Sequence, residues 1–251
     1  MPHDRADILL VKLDLARSRG VASELIKAGR VLVDGTPVKK ASQLIPDAAE
    51  ISVSGESNEV SRAGGKLGNA IAELEALGLQ VEIEGKDCLD IGASTGGFTQ
   101  VLLERGANRV IALDVGHGQL RPELRNNPKV IAQEKVNARF LSPEQLPFKP
   151  QFVTCDVSFI SLTMMFEPIR AVAEPGAQVL LLIKPQFEVG KGNLGKGGIV
   201  RDLKLVNQVI ANVEVAAANF GISVAKVIPS AVVGANGNQE YFLFGQLQPW
   251  G

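Results

Sequence analysis

Leu89-Asp90-Ile91-Gly92-Ala93-Ser94-Thr95-Gly96-Gly97-Phe98-Thr99 is the stretch whose reading decides the fold. An apolar run delivers a carboxylate, small residues follow, and a helical pattern opens near Phe98. This is a buried strand, a tight turn and a helix start, which together let a ligand approach bare backbone at the carboxyl edge of a sheet. The spacing discriminates between cofactors. A dinucleotide fingerprint needs Gly-x-Gly-x-x-Gly, yet Ser94 occupies the second glycine position; a Walker loop needs a Gly-Lys-Ser/Thr ending, which is absent. The next apolar run ends in Leu113-Asp114, at about the separation where an acidic residue meets ribose hydroxyls in nucleotide-binding α/β folds. Asp114 is the expected ribose ligand.

Outward from that turn, short apolar runs recur at Cys88–Ile91, Val110–Asp114, Val130–Ala132, Phe152–Asp156 and Val179–Ile183. Most are separated by enough chain for a crossover helix, the mark of an α/β domain with a parallel sheet covered on both faces. A helix is expected over Leu203–Phe220. Two further strands, Ser223–Ile228 and Tyr241–Phe244, are joined by a Gly- and Asn-rich loop, and so short a connection makes an antiparallel final pair.

The first fifty residues read differently. Ile8, Leu9, Val11 and Leu13 suggest one helix, Val21–Ala28 a second, and Gly29 suits the left-handed position after it. Val31-Leu32-Val33-Asp34-Gly35-Thr36-Pro37-Val38 brackets an Asp-Gly pair, a hairpin signal because both central positions need positive φ. A further strand is plausible at Glu50–Ser54. Over residues 1–45 the basic side chains are Arg5, Lys12, Arg17, Arg19, Lys27, Arg30, Lys39 and Lys40, against five acidic ones, although the whole chain carries a net charge of -1. The polar stretch 54–61 reads as a linker, giving a small α+β domain over 1–58, a linker over 59–65 and a larger domain over 66–251.

A length of 251 residues accommodates two such domains. With no single-sign field over the molecule, nucleic-acid contact must come from local basic patches. The start, MPHDRADILLVK, lacks a signal-peptide pattern, and no apolar run approaches the roughly 18 residues of a membrane span, so a cytoplasmic location is expected. Cys88 and Cys155 lie inside apolar runs and read as core thiols; His3 and His117 are too isolated for zinc, so no metal is expected.

Dispersed motifs in one order carry a family resemblance. They are Val60-Ser61-Arg62-Ala63-Gly64-Gly65-Lys66-Leu67, DIGASTGGFT from Asp90, Asp114-Val115-Gly116-His117-Gly118-Gln119-Leu120, Asn137-Ala138-Arg139, Asp156-Val157-Ser158-Phe159-Ile160-Ser161-Leu162, Lys184-Pro185-Gln186-Phe187-Glu188-Val189-Gly190 and Gly237-Asn238-Gln239-Glu240. The chain resembles the hemolysin A (TlyA) family of ribosomal RNA methyltransferases, whose catalytic domain is similar to the FtsJ type and has the seven-stranded, Rossmann-like fold. The N-terminal segment is similar to the RNA-binding domain named after the fourth small-subunit ribosomal protein. The resemblance implies S-adenosylmethionine as cofactor, held by Asp90, Gly92, Ser94, Thr95, Gly96, Gly97, Phe98, Asp114, Val115, Asn137 and Asp156. Asn137 reads equally well as a turn residue. The FtsJ-type Lys-Asp-Lys-Glu tetrad falls on Lys66, Asp156, Lys184 and Glu240. Two positions depart from the family: His117 stands where tyrosine is common, and Gly65 where a bulkier residue precedes the lysine.

Methylation of a ribose hydroxyl suits this set. The hydroxyl is a poor nucleophile until its proton is shared or removed, whereas the sulfonium already has a good leaving group, so alignment and a base are what the protein must supply. Asp156 and Lys184 end consecutive core strands and face one crevice, which makes Lys184 the expected base and Lys66 the source of positive charge. Ribosomal RNA or a ribosomal subunit is the expected partner, contacted through phosphates by Arg5, Arg17, Arg19, Lys27, Arg30, Lys39 and Lys40. The loop Gly190–Gly198 reads as a lid over the RNA backbone or as a plain flexible loop. Rival readings are a ribosome-associated RNA-binding protein without turnover and a hemolysin-like membrane-active protein; the second has no membrane segment to support it. The sequence carries no signal for oligomeric state.

Overall fold

The computed structural model divides the chain into two units, Met1–Asn58 and Glu59–Gly251, and describes residues 3–249 apart from 14, 17, 18, 28, 30, 47, 48, 50, 54–57, 235 and 236. The first unit runs β1 (His3–Arg5), α1 (Ala6–Lys12), α2 (Arg19–Lys27), β2 (Val31–Val33), β3 (Thr36–Pro37), β4 (Leu44–Pro46) and β5 (Ile51–Val53). Asp34 and Gly35 both take positive φ, 47° and 75°, and close the β2–β3 hairpin as the primed turns require. Gly29 follows α2 at φ 69°. Ala6, Leu9, Leu10, Ala22, Ile26, Val31, Val38 and Ile45 form the unit's own core.

The second unit begins with α3 (Asn58–Ala76), so residues 59–65, expected to be a linker, are helical. Gly64 and Gly65 obscure the helical pattern, but Leu67, Ala70, Ile71 and Leu74 recur at helical spacing and are all buried. There follow β6 (Asp87–Ile91), α4 (Gly97–Glu104), β7 (Arg109–Asp114), α5 (Pro122–Arg125), β8 (Val130–Glu134), β9 (Phe152–Cys155), α6 (Phe166–Val172), β10 (Gln178–Ile183), α7 (Pro185–Glu188), α8 (Leu203–Asn219), β11 (Ile222–Pro229) and β12 (Tyr241–Leu247). The sheet order is β8-β7-β6-β9-β10-β12-β11, parallel from β8 to β10, with β12 antiparallel to both its neighbours.

The crossovers are leaner than expected on one side. Only the four-residue α5 separates β7 from β8, and the chain passes from β8 to β9 through two single 3-10 turns, Ala138–Phe140 and Pro143–Gln145. Pro143, Pro147 and Pro150 remove the backbone donors a helix would need.

The strand β10 explains why apolar runs rather than alternation mark this sheet. Val179, Leu181 and Ile183 enter one apolar layer, with Phe166, Ile169, Val209 and Val213. Leu180 and Leu182 enter the other, with Leu67, Ile71, Phe98 and Phe242. Both faces are covered, and each such side chain contributes roughly 1.5–3 kcal/mol of burial.

The order of strands reverses between β6 and β9, which is where open α/β sheets bind ligands. Asp90, wholly buried near the end of β6, fastens this point. Its oxygens accept from Thr99 Oγ1 of α4 at 2.6 Å and Thr154 Oγ1 of β9 at 3.0 Å. Burial pushes the Asp90 carboxyl up to about 7, against the pull of the two threonines. Ionised above pH ~4 when unfolded but only above about 7 when folded, this carboxyl contributes stability that is complete below the unfolded value and lost as pH rises through the folded one. Asp90→Asn cannot ionise, so between pH 4 and 8 its unfolding free energy relative to wild type should rise by on the order of 2–4 kcal/mol. Urea titrations across that range check this, and parallel pH profiles for the two proteins would contradict it.

Candidate active site

Three strand registers assemble the site. Parallel pairing sets Ile91 of β6 beside Cys155 of β9, so the residues that follow, Gly92 and Asp156, abut. Asp156 N–H donates to the Ile91 carbonyl at 2.8 Å, and a Cβ on Gly92 would lie 2.4 Å from the Asp156 carbonyl oxygen. With φ at 81° as well, this position accepts glycine alone. Parallel pairing of β10 with β9 sets Leu181 beside Cys155, and the same register carries Lys184 to the level of Ser158. Lys184 Nζ donates to Ser158 Oγ at 2.9 Å and forms an ion pair with Asp156. Antiparallel pairing sets Ile183 of β10 against Tyr241 of β12, which makes Lys184 and Glu240 neighbours across the sheet edge.

Lys66 arrives from α3. A Cβ on Gly64 would sit 3.3 Å from the Gly97 carbonyl and 3.5 Å from Val101, so α3 lies close against α4 and brings Lys66 Nζ to Glu240 Oε2 at 2.6 Å. The other Glu240 oxygen accepts from Gln186 Nε2 at 3.2 Å. The four expected reacting groups thus form two ion pairs. Lys184 and Glu240 are buried, 8% and 3% exposed, and the side chains of Lys66 and Asp156 are 12% and 18% exposed. Charges so far out of water must be matched, because an unpaired one costs several kcal/mol.

Beside this lies the turn after β6. Ser94 takes φ 48°; its N–H donates to Asp114 Oδ2 at 2.8 Å and its hydroxyl to Gln119 Oε1 at 3.1 Å. Gly116 N–H donates to Asp114 Oδ1 at 2.6 Å. The half-buried Asp114 carboxylate is fixed from both sides, and each oxygen keeps a further lone pair for a hydroxyl donor. Thr95 continues the turn. Gly96, at φ 96°, caps α4 where the side chains of Leu124 and Leu120 occupy the space of a Cβ, and Gly97 opens the helix. Val115, 71% exposed, follows Asp114. Backbone and one fixed carboxylate fit a nucleoside cofactor without pyrophosphate, as S-adenosylmethionine is.

A scan against protein families matches residues 59–247 to the FtsJ-like methyltransferase and residues 4–51 to the S4 domain. The chain is 44% identical to the 16S/23S rRNA (cytidine-2'-O)-methyltransferase TlyA of Mycobacterium tuberculosis, over 97% of this chain and 90% of that protein. It is 40% identical to Hemolysin A of Brachyspira hyodysenteriae, over 89% and 92%. A solved structure of a candidate hemolysin from Streptococcus thermophilus superposes with a TM-score of 0.75 at 36% identity, covering 99% of this chain and 90% of that one. The chain belongs to the TlyA family of FtsJ-like methyltransferases.

Three side chains expected at the cofactor are engaged elsewhere in this TlyA-family chain. Asp90 is the buried bridge to Thr99 and Thr154. Phe98 is 2% exposed and packs on Phe242, with centroids 6.0 Å apart. Asn137 Oδ1 accepts from Arg139 N–H at 3.1 Å and caps a 3-10 turn. Strand-end logic identifies where the chain passes the crevice but not which way each side chain turns. Conversely, Ser158, Gln186, Glu188 and Asn238 were not singled out, although each lies within two residues of a tetrad member or four of Lys184 in the family's motifs. Glu188 accepts from Ser161 Oγ at 2.6 Å and Leu162 N–H at 2.7 Å, tying the loop after β9 to α7. Asn238, 1% exposed, accepts from Val200 N–H at 2.9 Å and donates to the Gly198 carbonyl at 3.0 Å, which pins the far end of the loop read as a lid or a plain flexible loop.

The two departures from the family have separate outcomes. His117 Nδ1 lies 2.8 Å from Glu134 Oε2, and Glu134 also accepts from Gly118 N–H and Arg125. These bonds, that of Gly118 first, hold Glu134 down at about 2. Gly65 has nothing within 4 Å of a would-be Cβ, so the missing side chain leaves Lys66 no less held.

In the S4 domain, Asp7 is 3% exposed and accepts from Arg5 Nε at 2.9 Å and from Arg19 Nη2 at 2.8 Å. These partners, Arg5 foremost, hold its carboxyl at about 2 and aim both guanidinium groups, whose side chains stay 42% and 60% exposed. Lys27, Lys39 and Lys40 are exposed. Arg17 and Arg30 lie outside the described residues.

Two glycines of the site give opposite expectations. Gly65→Ala, mid-helix with free space, should raise the unfolding free energy by about 0.5–1 kcal/mol and leave activity intact. Gly92→Ala should lower it by at least about 2 kcal/mol and remove activity, because the backbones of β6 and β9 must part. Melting of the two variants checks the pair; a stable, active Gly92→Ala would contradict the register.

Proposed function

We propose that this chain transfers the methyl group of S-adenosylmethionine to a ribose 2'-hydroxyl of ribosomal RNA, with Lys66, Asp156, Lys184 and Glu240 at the reacting atoms and residues 1–58 as the RNA anchor. The observation that carries this reading is the pair of nearly buried lysine–carboxylate contacts at the sheet's carboxyl edge, next to a turn that suits a nucleoside. The Mycobacterium tuberculosis relative is named for a cytidine 2'-hydroxyl, which makes cytidine the first nucleotide to assay.

When bound, the cofactor supplies an electrophilic methyl group on a sulfonium. Asp114 and the backbone from Gly92 to Gly97 would hold it, with the exposed Val115 next in the chain. Lys184, at the end of a rigid core strand, takes the ribose proton as the oxygen attacks. Asp156 aims the amine. Lys66, matched by Glu240, keeps positive charge beside the developing alkoxide, and Gln186 holds the second Glu240 oxygen. The aimed Arg5 and Arg19, with Lys27, Lys39 and Lys40, contact phosphates and set register on folded RNA; Arg17 and Arg30 complete the set on sequence grounds. Such a substrate places the protein in the cytoplasm. Among the described residues no helix is long and apolar enough to cross a membrane.

Transfer of labelled methyl from S-adenosylmethionine to ribosomal subunits tests the reading. Arginine keeps the charge of lysine but does not release its proton. Lys184→Arg should therefore lose turnover by about 100- to 10,000-fold with cofactor affinity unchanged, while Lys66→Arg keeps more activity. If Lys66→Arg is the inactive variant, the two roles are exchanged. Absence of transfer to RNA by the wild-type protein would overturn the reading.

A further inference from the structure

Lys184 is 8% exposed, and a buried amine that accepts a proton in each cycle must hand it on before the next. The neutral amine that acts as base has two N–H donors, one directed to Asp156 and one to Ser158 Oγ at 2.9 Å, which leaves its lone pair for the proton of the ribose hydroxyl. Of the two protein partners, the carboxylate is the more buried, and Ser158 is exposed. A hydroxyl can accept from the amine and donate to water at the same time; a carboxylate that passed the proton outward would give up the charge that aims the lysine.

Ser158 reaches this position through a constrained backbone. The β9–β10 pairing ends at Leu181 and Cys155, and three residues beyond it Ser158 meets Lys184. The next residue, Phe159, takes φ 67°, uncommon for a bulky side chain. Its ring packs on Phe187 of α7, with centroids 5.2 Å apart, and Glu188 of the same helix clamps Ser161 and Leu162. The segment after Lys184 thus holds the loop that carries Ser158 at both ring and backbone.

We propose that Ser158 is a positioning residue for Lys184 that also forms the proton's exit: its hydroxyl fixes the amine toward the ribose and relays the abstracted proton to solvent. This rests on the reading of Lys184 as base. In the cycle the ribose O–H bond breaks and its proton bonds to Lys184 Nζ, while the new O–CH3 bond forms and the S–CH3 bond breaks with its electron pair left on sulfur. Lys184 then gives a proton to Ser158 Oγ as Ser158 gives its own to water, which restores both groups with no other reactant consumed.

Steady-state methylation of ribosomal subunits by the full-length protein, at several pH values and buffer concentrations, tests the proposal with Ser158→Ala, Ser158→Thr and Ser158→Val, and with Lys184→Arg as reference. Threonine and valine share a shape and differ in the hydroxyl. Ser158→Ala and Ser158→Val should lose about 10- to 100-fold in kcat at unchanged KM, and recover as a small buffer base is raised. Ser158→Thr should stay within a few-fold of wild type and be insensitive to buffer. Equal loss in the threonine and valine variants, or wild-type kcat in Ser158→Ala beside an inactive Lys184→Arg, would overturn the role of Ser158 and leave the base assignment standing. An active Lys184→Arg would remove the base assignment and the proposal with it.

Discussion

β10 lies between a parallel neighbour, β9, and an antiparallel one, β12, and its register with each is fixed by an apolar run buried on both faces. A slip of one residue would exchange the two apolar layers along the whole strand, so the core determines what protrudes at the carboxyl edge. What protrudes is Lys184, level with Ser158 on one side and Glu240 on the other. The chemistry of the site is therefore set by core packing well below it. The lone antiparallel strand matters here, because only a strand entering from that edge can place a residue that precedes it, Glu240, beside one that ends its neighbour.

Electrostatics adds a second constraint. Two lysines and two carboxylates with little access to water are stable only as matched pairs, and each pair joins a different set of elements. Lys66–Glu240 fastens α3 to β12, and Lys184–Asp156 fastens β10 to β9. A third carboxylate, Asp90, is relieved differently, by hydroxyls of Thr99 and Thr154 and a carboxyl pushed up to about 7. It couples the glycine turn after β6 to the strand that leads into Asp156. Glycine makes that junction possible, since only Gly92 lets β6 pass the Asp156 carbonyl.

Much of this was legible in the sequence. The Asp-Gly hairpin, the glycine turn after Ile91, the apolar strands and the antiparallel end all follow from local chemistry, and the strand ends were enough to bring Asp156 and Lys184 to one crevice. Lys66 and Glu240 rested on family motifs, because a lysine in a helix and a glutamate in a loop have no local mark of partnership 174 residues apart. Less was legible where side-chain direction decides. Asp90, Phe98 and Asn137 occupy motif positions but turn into the core or onto the backbone. The start of α3 read as a linker because its glycines and polar residues hide a helix that packing against α4 sustains. The proline-rich stretch from Pro143 to Pro150 likewise denied the sheet a crossover helix that spacing alone allowed.

This edge is built for a ribose oxygen and not for a base. The most direct measurement is the chemical identity of the product: ribosomal RNA methylated with labelled S-adenosylmethionine, digested to nucleosides and resolved by mass spectrometry. The label is expected on the ribose, as a 2'-O-methylated nucleoside. Label on a nucleobase would contradict it.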